Sequence, residues 1–172
     1  METMGISEER IRSEVRRLAE TLAPTLGLEV VEVAFHRAGR FTLLRVDIDR
    51  PGTPGVTLED CQRLTEALGP ALDAAELLES HYNLEVSSPG LDRPIRTEDD
   101  VRRNRGRRVE VEVTAPVAGS RHLTGELLGL QEGALHVLLD GGEEVLVPRE
   151  NVVLARQEIA VSRAKERGNR VV

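Results

Sequence analysis

Side chains that could perform chemistry are scattered along this sequence rather than clustered. Ser87 and Ser88 end a strand-like stretch in LEVSSPGLDRP (84–94), but the Gly-x-Ser-x-Gly pattern of a serine nucleophile between a strand and a helix is missing. The sequence assembles no nucleophile, base and oxyanion-binding group around them. We therefore predict that the chain is not an enzyme and that it uses no cofactor.

Metal-binding chemistry has equally little support. Asp47 and Asp49 share one face of a predicted strand, where alternation with apolar residues indicates an exposed polar face rather than a metal pair. Cys61 falls on the apolar stripe of a predicted helix, so we expect it to be buried and inert. The histidines lack metal-ligand spacing and a cysteine partner: His36, His81, His122 and His136. We predict no metal site.

A dense group of cations lies in RRNRGRR (102–108). Its arginines are Arg102, Arg103, Arg105, Arg107 and Arg108. Arginine neutralises phosphates, which favours contact with nucleic acid. Cations are also stabilised at the C-terminal end of a helix dipole, which favours a solvated helix end. No aromatic residue that could stack on a base lies nearby. Both interpretations stay open, and any contact would be with phosphate or acidic protein.

The segment 84–94 is better explained by geometry than by reactivity. Pro89 and Gly90 fit the central positions of a type II turn, in which Gly90 has a positive φ. Pro94 would hold Arg93 in an extended conformation. We predict an interdomain joint formed by Ser88, Pro89, Gly90, Leu91 and Pro94. Asp92 and Arg93 are the predicted partner contacts, together with the five arginines of 102–108.

The first half of the chain predicts a two-layer domain with the order α-β-β-α-β. Ser7 can cap a first amphipathic helix, and strands follow at 28–35 and 41–49. Thr57 and Asp60 form a capping-box pattern for a second helix, which Gly69-Pro70 should kink or interrupt. A third strand ends at the segment 84–94.

The second half predicts strands almost throughout. A short Thr97-capped segment precedes RRVEVEV, HLTGELLGL, ALHVLLD and EVLVP, four or five short strands that suggest a small barrel. Gly125 and Gly129 fit the bends that a barrel needs. The expected division is an α/β domain at 1–90, a linker at 91–97, and a barrel domain at 98–172. Its tail from Ser162 is polar and expected to fray.

Composition limits the classes of function. The sequence holds one cysteine and no long apolar run, so we expect a cytoplasmic protein without disulfides or membrane spans. Net charge is −7, and residues 1–90 hold 9 basic and 16 acidic side chains. This acidic half should repel nucleic-acid backbone and favour a basic partner.

Several segments, in order, resemble the bacterial ribosome maturation factor RimP family. YNLEVSSPGLDRPI (82–95) is similar to the signature segment of that family, and LLRVDIDRPGTPGVTLEDCQRLTEAL (43–68) to its strand, loop and helix. GRRVEVEV, LTGELLG and EVLVPRENVVLAR are similar to its later strands. Val101 departs from the aromatic often found after the signature.

This resemblance implies an α+β protein, with an N-terminal α/β domain followed by an Sm-like, SH3-type small β-barrel. It implies a monomeric, non-enzymatic factor that binds the free small ribosomal subunit during assembly, through ribosomal protein and ribosomal RNA. The implied protein partner is the twelfth small-subunit protein, near the decoding region, and no small-molecule substrate is implied. The alternative is a general Sm-like RNA-binding module.

Overall fold

The computed structural model describes residues 7–78, 81–90 and 92–158. The chain divides into two compact units, residues 1–89 and 90–172. Among the described residues no helix is long and apolar enough to cross a membrane. The predicted polar tail from Ser162 lies outside the described residues.

Two helices and three strands form the first unit. Their bounds are α1 (Glu8–Leu22), β1 (Glu29–Ala38), β2 (Phe41–Asp49), α2 (Leu58–Ala75) and β3 (Asn83–Ser87), with a 3₁₀ turn at Ala23–Leu26. The predicted order α-β-β-α-β is therefore confirmed. The Ser7 cap is also confirmed, since the Ser7 hydroxyl accepts a hydrogen bond from the Arg10 N–H at 3.3 Å.

The three strands form one sheet in the order β1-β2-β3. β1 and β2 are antiparallel and join through the two-residue turn Gly39-Arg40, whereas β3 runs parallel to β2. Leu44 and Val46 of β2 face the core that packs against the helices. Because successive strand residues point to opposite faces, Leu43, Arg45 and Asp47 lie on the other face of the sheet.

Helix α2 starts as predicted but continues where an interruption was expected. Thr57 and Asp60 form the full capping box, with the Asp60 N–H donating to the Thr57 hydroxyl at 3.1 Å. The helix then runs through Pro70 to Ala75, so of the two predicted outcomes, a kink or an interruption, the interruption is wrong. Leu68 and Leu72, on either side of Pro70, are buried in the core, and this packing outweighs the local preference of proline.

The second unit begins with a short helix and continues as sheet. Its elements are α3 (Glu98–Asn104), β4 (Arg108–Val117), β5 (Ser120–Gln131), β6 (Ala134–Leu139), β7 (Glu144–Pro148) and β8 (Val152–Gln157), with a 3₁₀ turn at Arg149–Asn151. Thr97 caps α3 in a second capping box, in which Asp100 is the reciprocal acceptor. The Thr97-capped segment and the predicted strands are confirmed.

The five strands form one antiparallel sheet in the order β7-β6-β5-β4-β8. Alternate residues of the strands point into a single aliphatic core, whose largest fully buried members are Val109, Val111, Leu127, Val137 and Val147. The chain is thus a mixed α+β protein, with an α/β first unit and a sheet-rich second unit.

Gly125 lies where the backbone of β6 closely approaches β5. It pairs with Leu139, and a Cβ atom at this position would collide with the carbonyl oxygen of Leu138. Because the obstructing atom belongs to the backbone, a side chain could be accepted only by moving the strands apart. Further along β5 the register shifts between Leu127 and Gly129, so Gly129 coincides with irregular pairing, whereas the register at Gly125 is regular.

We expect Gly125→Ala to lower the free energy of unfolding by about 1–3 kcal/mol, as overpacking of a tight contact does. Gly141→Ala is the matched control, since its Cβ would meet nothing within 4 Å and its φ is not positive. Urea unfolding followed by circular dichroism measures both. Equal stability of the two variants would contradict the assigned β5–β6 contact.

Candidate functional site

The segment 84–94 contains no reactive serine. The Ser87 hydroxyl donates to the Ser88 carbonyl at 3.2 Å, and Ser88 is exposed. The predicted type II turn is wrong, because Gly90 is not among the residues with positive φ. Instead the Arg93 N–H donates to the Gly90 carbonyl at 2.9 Å, so the turn begins at Gly90. Leu91 lies outside the described residues.

The residues after this turn form hydrogen bonds within the second unit. Ile95 donates its N–H to the Ala155 carbonyl of β8 at 2.7 Å, and Pro94 is half-buried. Arg93 is also half-buried, and its charge acts on Asp100. Asp92 is exposed, and its carboxylate fills the space that a Gly90 side chain would take. The chain thus joins the second unit directly after the signature glycine.

Asp100 is the electrostatic centre of this region. Burial alone would raise its pKa, but N–H donors from Thr97 and Arg96, at 3.0 Å each, and the Arg93 charge hold the pKa below its usual range. Arg103 adds an ion pair at 3.2 Å. Asp100 thereby closes the start of α3 as an ionised carboxylate.

The arginines of 102–108 all have partners inside the chain. Arg107 is 8% exposed and donates to Asn104 at 3.3 Å, and Arg105 donates to the Leu128 carbonyl at 3.2 Å. Arg102 pairs with Asp99 at 3.3 Å. These contacts, with the Arg103 pair, fasten the end of α3 to itself and to β5.

Arg108 contacts two residues that are far from it in the sequence. It pairs with Glu158 at 2.6 Å and with Asp140 at 2.8 Å, and hydrogen bonding to these two carboxylates raises the pKa of its guanidinium. The exposed members of the run are Arg102, Arg105 and Arg108, whereas Arg103 and Arg107 are largely enclosed. A partner could therefore contact only Arg102, Arg105 and Arg108 of this run.

In the first unit an arginine–carboxylate contact is centred on Arg50, as one is centred on Asp100 in the second unit. Its guanidinium donates to both Asp60 oxygens, at 2.8 and 3.3 Å, and to the Leu26 carbonyl at 2.9 Å. The Arg50 bonds, together with the Thr57 N–H, hold the pKa of Asp60 far below its usual range. One guanidinium thus joins the end of the α1 segment, the end of β2 and the start of α2. The sequence analysis missed Arg50, although an arginine directly after an acidic strand end was a readable signal.

A cavity of about 800 Å³ lies between the end of α2 and β3. Apolar side chains, among them Leu72 and Leu84, line its wall, and Asp73 and Glu76 contribute carboxylates. Tyr82 donates its hydroxyl to Asp73 at 2.7 Å, and burial together with this bond raises the pKa of Tyr82 to about 12. This acidic groove combines apolar surface with negative charge, which suits a basic segment with an apolar anchor.

The remaining reactive residue types are accounted for by structure. Cys61 is buried as predicted, and burial followed by the nearby Asp60 charge raises the pKa of its thiol. Asp49 is only 5% exposed, so the predicted exposed polar face is wrong there; Asp49 accepts the Arg50 N–H at 2.9 Å. Asp47 accepts from Arg45 at 2.9 Å. Within residues 7–78, 81–90 and 92–158 no group of three or more potential ligands could hold a metal ion.

The fold and these contacts define a two-unit α+β protein organised by arginine–carboxylate pairs. Residues 18–92 match the family model of the RimP N-terminal domain. These residues therefore carry the N-terminal domain of the RimP family of ribosome maturation factors. A solved structure from work on the mode of action of CzrB, described there as a candidate zinc transporter, is similar over 50% of this chain and 100% of its own. Identity is 23% and the TM-score 0.35, so this likeness carries no argument.

We expect Asp60→Asn to lower the free energy of unfolding by about 2 kcal/mol at neutral pH, because it removes the charged acceptor of Arg50. The folded-state pKa of Asp60 lies below the unfolded value of about 4, so this contribution is present above that value and is lost as the pH falls through the folded pKa. The difference from the wild type should shrink below about pH 4. Urea unfolding at several pH values measures it.

Glu59→Gln is the control, since Glu59 precedes Asp60 but is exposed and pairs only with the exposed Arg63 at 2.7 Å. Its effect should stay within about 0.5 kcal/mol. A pH-independent loss for Asp60→Asn, or an equal loss for Glu59→Gln, would contradict the assigned role of the Arg50–Asp60 pair.

Proposed function

We propose that this protein is a non-enzymatic assembly factor that binds the free small ribosomal subunit in the cytoplasm. The observation that carries the proposal is the match of residues 18–92 to the RimP N-terminal domain. On this proposal the protein acts as a monomer and helps a small-subunit ribosomal protein to dock. The twelfth small-subunit protein, near the decoding region, is the partner that the family resemblance implies.

The acidic groove of the first unit supports a basic protein partner. Asp73 and Glu76 lie beside apolar wall residues, so a lysine- or arginine-containing segment could place an aliphatic anchor against the wall and its charge at the carboxylates. Ribosomal proteins supply such segments because they are basic. We propose that the partner docks in this groove.

The second unit supports a barrel of the Sm-like, SH3 type. Its strand order places β7 and β8 at the two ends of the sheet, while only the 3₁₀ turn Arg149–Asn151 separates them along the chain. So short a connection favours closure of the sheet. We propose that Arg102, Arg105 and Arg108 contact the subunit from this unit, while Arg103 and Arg107 stabilise α3.

The joint between the units is also proposed at the signature segment. Ser88, Pro89, Gly90, Leu91 and Pro94 would form it, within the domain division 1–90, 91–97 and 98–172. Asp92 and Arg93 are the proposed contacts within or beside this joint. The division of the chain into units at 89/90 supports this location.

Co-sedimentation of the full-length protein with purified ribosomal particles tests the proposed function. The protein should sediment with free small subunits and not with assembled ribosomes. Equal association with both particles, or with neither, would overturn the proposal. Sequence-independent binding to all RNA at the same affinity would favour the general RNA-binding module instead.

The double substitution Asp73→Asn with Glu76→Gln tests the acidic groove. We expect about 3- to 10-fold weaker binding to free small subunits, because two charges facing a basic segment are removed while the oxygen that accepts from Tyr82 remains. Glu132→Gln with Glu143→Gln removes the same charge from exposed positions of the second unit. An equal effect of both pairs in a sedimentation titration would show that only net charge matters.

A further inference from the structure

The tip of the β1–β2 hairpin carries cations and an exposed aromatic ring on an otherwise acidic unit. Arg37 and Arg40 are exposed, and among the described residues neither forms an ion pair. The chain has two phenylalanines and one tyrosine. Phe41 is 53% exposed, whereas Phe35 is buried and Tyr82 is half-buried. From residue 33 to residue 46 the sequence contains no carboxylate.

The hairpin holds this ring and these cations in defined positions. Gly39 has φ +58 in the two-residue turn, which allows the tight reversal that puts Arg40 at the tip. Ala38 pairs with Phe41, and His36 pairs with Leu43. Phe41 and His36 are therefore diagonal neighbours on the face of the sheet opposite the helices, about 7 Å apart. Two rings on one open sheet face form a stacking surface.

Arg37 lies on the other face of the hairpin. Its guanidinium carbon is 5.5 Å from the centroid of the Phe35 ring, and Phe35 is buried in the core. This contact orders the arginine without neutralising it, because the ring attracts a cation through its π face. The tip thus presents one positive charge beside the helix-side face, Arg37, and one at the turn, Arg40.

The acidity of the rest of the unit acts only weakly at this tip. On the open face the first carboxylates are Glu85, Asp47 and Glu32. Arg45 lies 4.0 Å from Glu85 and 2.9 Å from Asp47, and Glu32 is the cross-strand partner of Asp47. Glu85, the nearest of them, is level with Arg45, four residues beyond Phe41 and about 13 Å away along the strand. The Debye length is about 8 Å at physiological ionic strength, so local charges dominate at the tip.

We propose that the hairpin tip, residues 36–41, binds single-stranded RNA, with Phe41 stacking on an unpaired base and Arg37 and Arg40 contacting its flanking phosphates. An exposed ring needs an unstacked base, which single-stranded RNA offers and a duplex does not. An acidic protein segment would satisfy the arginines but not the ring. The inference rests on the proposed function, since the free small subunit is the source of such RNA.

Fluorescence anisotropy of a short labelled oligouridine with the full-length protein tests this inference. Phe41→Ala should weaken binding about 5- to 100-fold, and Phe41→Trp should restore it, because stacking requires a ring. Arg40→Gln should reduce the slope of log affinity against log salt by about 0.7. Arg12→Gln, an equal charge change at an exposed position of α1, should leave the affinity unchanged.

Three results would overturn the inference: no binding by the wild type, no effect of Phe41→Ala, or an equal effect of Arg12→Gln. Displacement of the oligouridine by polyglutamate, with equal affinity of polyglutamate for Phe41→Ala and wild type, would also overturn it in favour of an acidic protein partner. Sedimentation of the same variants with free small subunits separates the two proposals. If the wild type sediments but the tip does not bind RNA, the inference alone fails; if the oligouridine binds but the wild type does not sediment, the proposed function fails.

Discussion

The contact between Arg50 and Asp60 is the interaction on which the first unit depends. The Asp60 carboxylate completes the capping box of α2 and accepts two bonds from the guanidinium, which also reaches the Leu26 carbonyl. Removing Arg50 would leave the Asp60 carboxylate, whose side chain is 9% exposed, without its cation, and an unpaired enclosed charge is costly. The contact ties the segment after α1, the end of β2 and the start of α2 together at one edge of the aliphatic core that these elements share.

The second unit repeats this arrangement and thereby determines how its cations are used. Asp100 again closes a capping box and meets Arg103, while Arg108 bridges Glu158 and Asp140. Arginines that look like a nucleic-acid surface in the sequence are thus employed in holding α3 and the sheet. The hairpin tip differs because, among the described residues, Arg37 and Arg40 form no ion pair, and residues 33–46 contain no carboxylate. Which arginines are available to bind phosphate therefore depends more on where the carboxylates lie than on where the arginines lie.

Local signals in the sequence predicted most elements. Both capping boxes and the alternating strands were readable, because they depend on residues three apart or on a period of two. The continuation of α2 through Pro70 was not, since it depends on burial of Leu68 and Leu72 in the core. The turn was placed two residues early, because the bond that closes it joins the Arg93 N–H to the Gly90 carbonyl.

The candidate sites were less predictable for the same reason. Arg108 meets carboxylates 32 and 50 residues away, and no local pattern reveals such pairs. Asp49 was expected in solvent from strand alternation, but it is enclosed where β2 ends and accepts the next N–H. Phe41 and its neighbouring arginines were visible in HRAGRF, yet only the register of the hairpin brings Phe41 and His36 to one face.

Cross-linking of the full-length protein on free small subunits, with the linked peptides identified by mass spectrometry, tests the whole account most directly. Ultraviolet light should attach RNA to the hairpin peptide that contains Phe41, and a chemical cross-linker should join residues beside the acidic groove to a basic ribosomal protein. RNA attached elsewhere while the hairpin stays unmodified on the bound subunit would contradict the account.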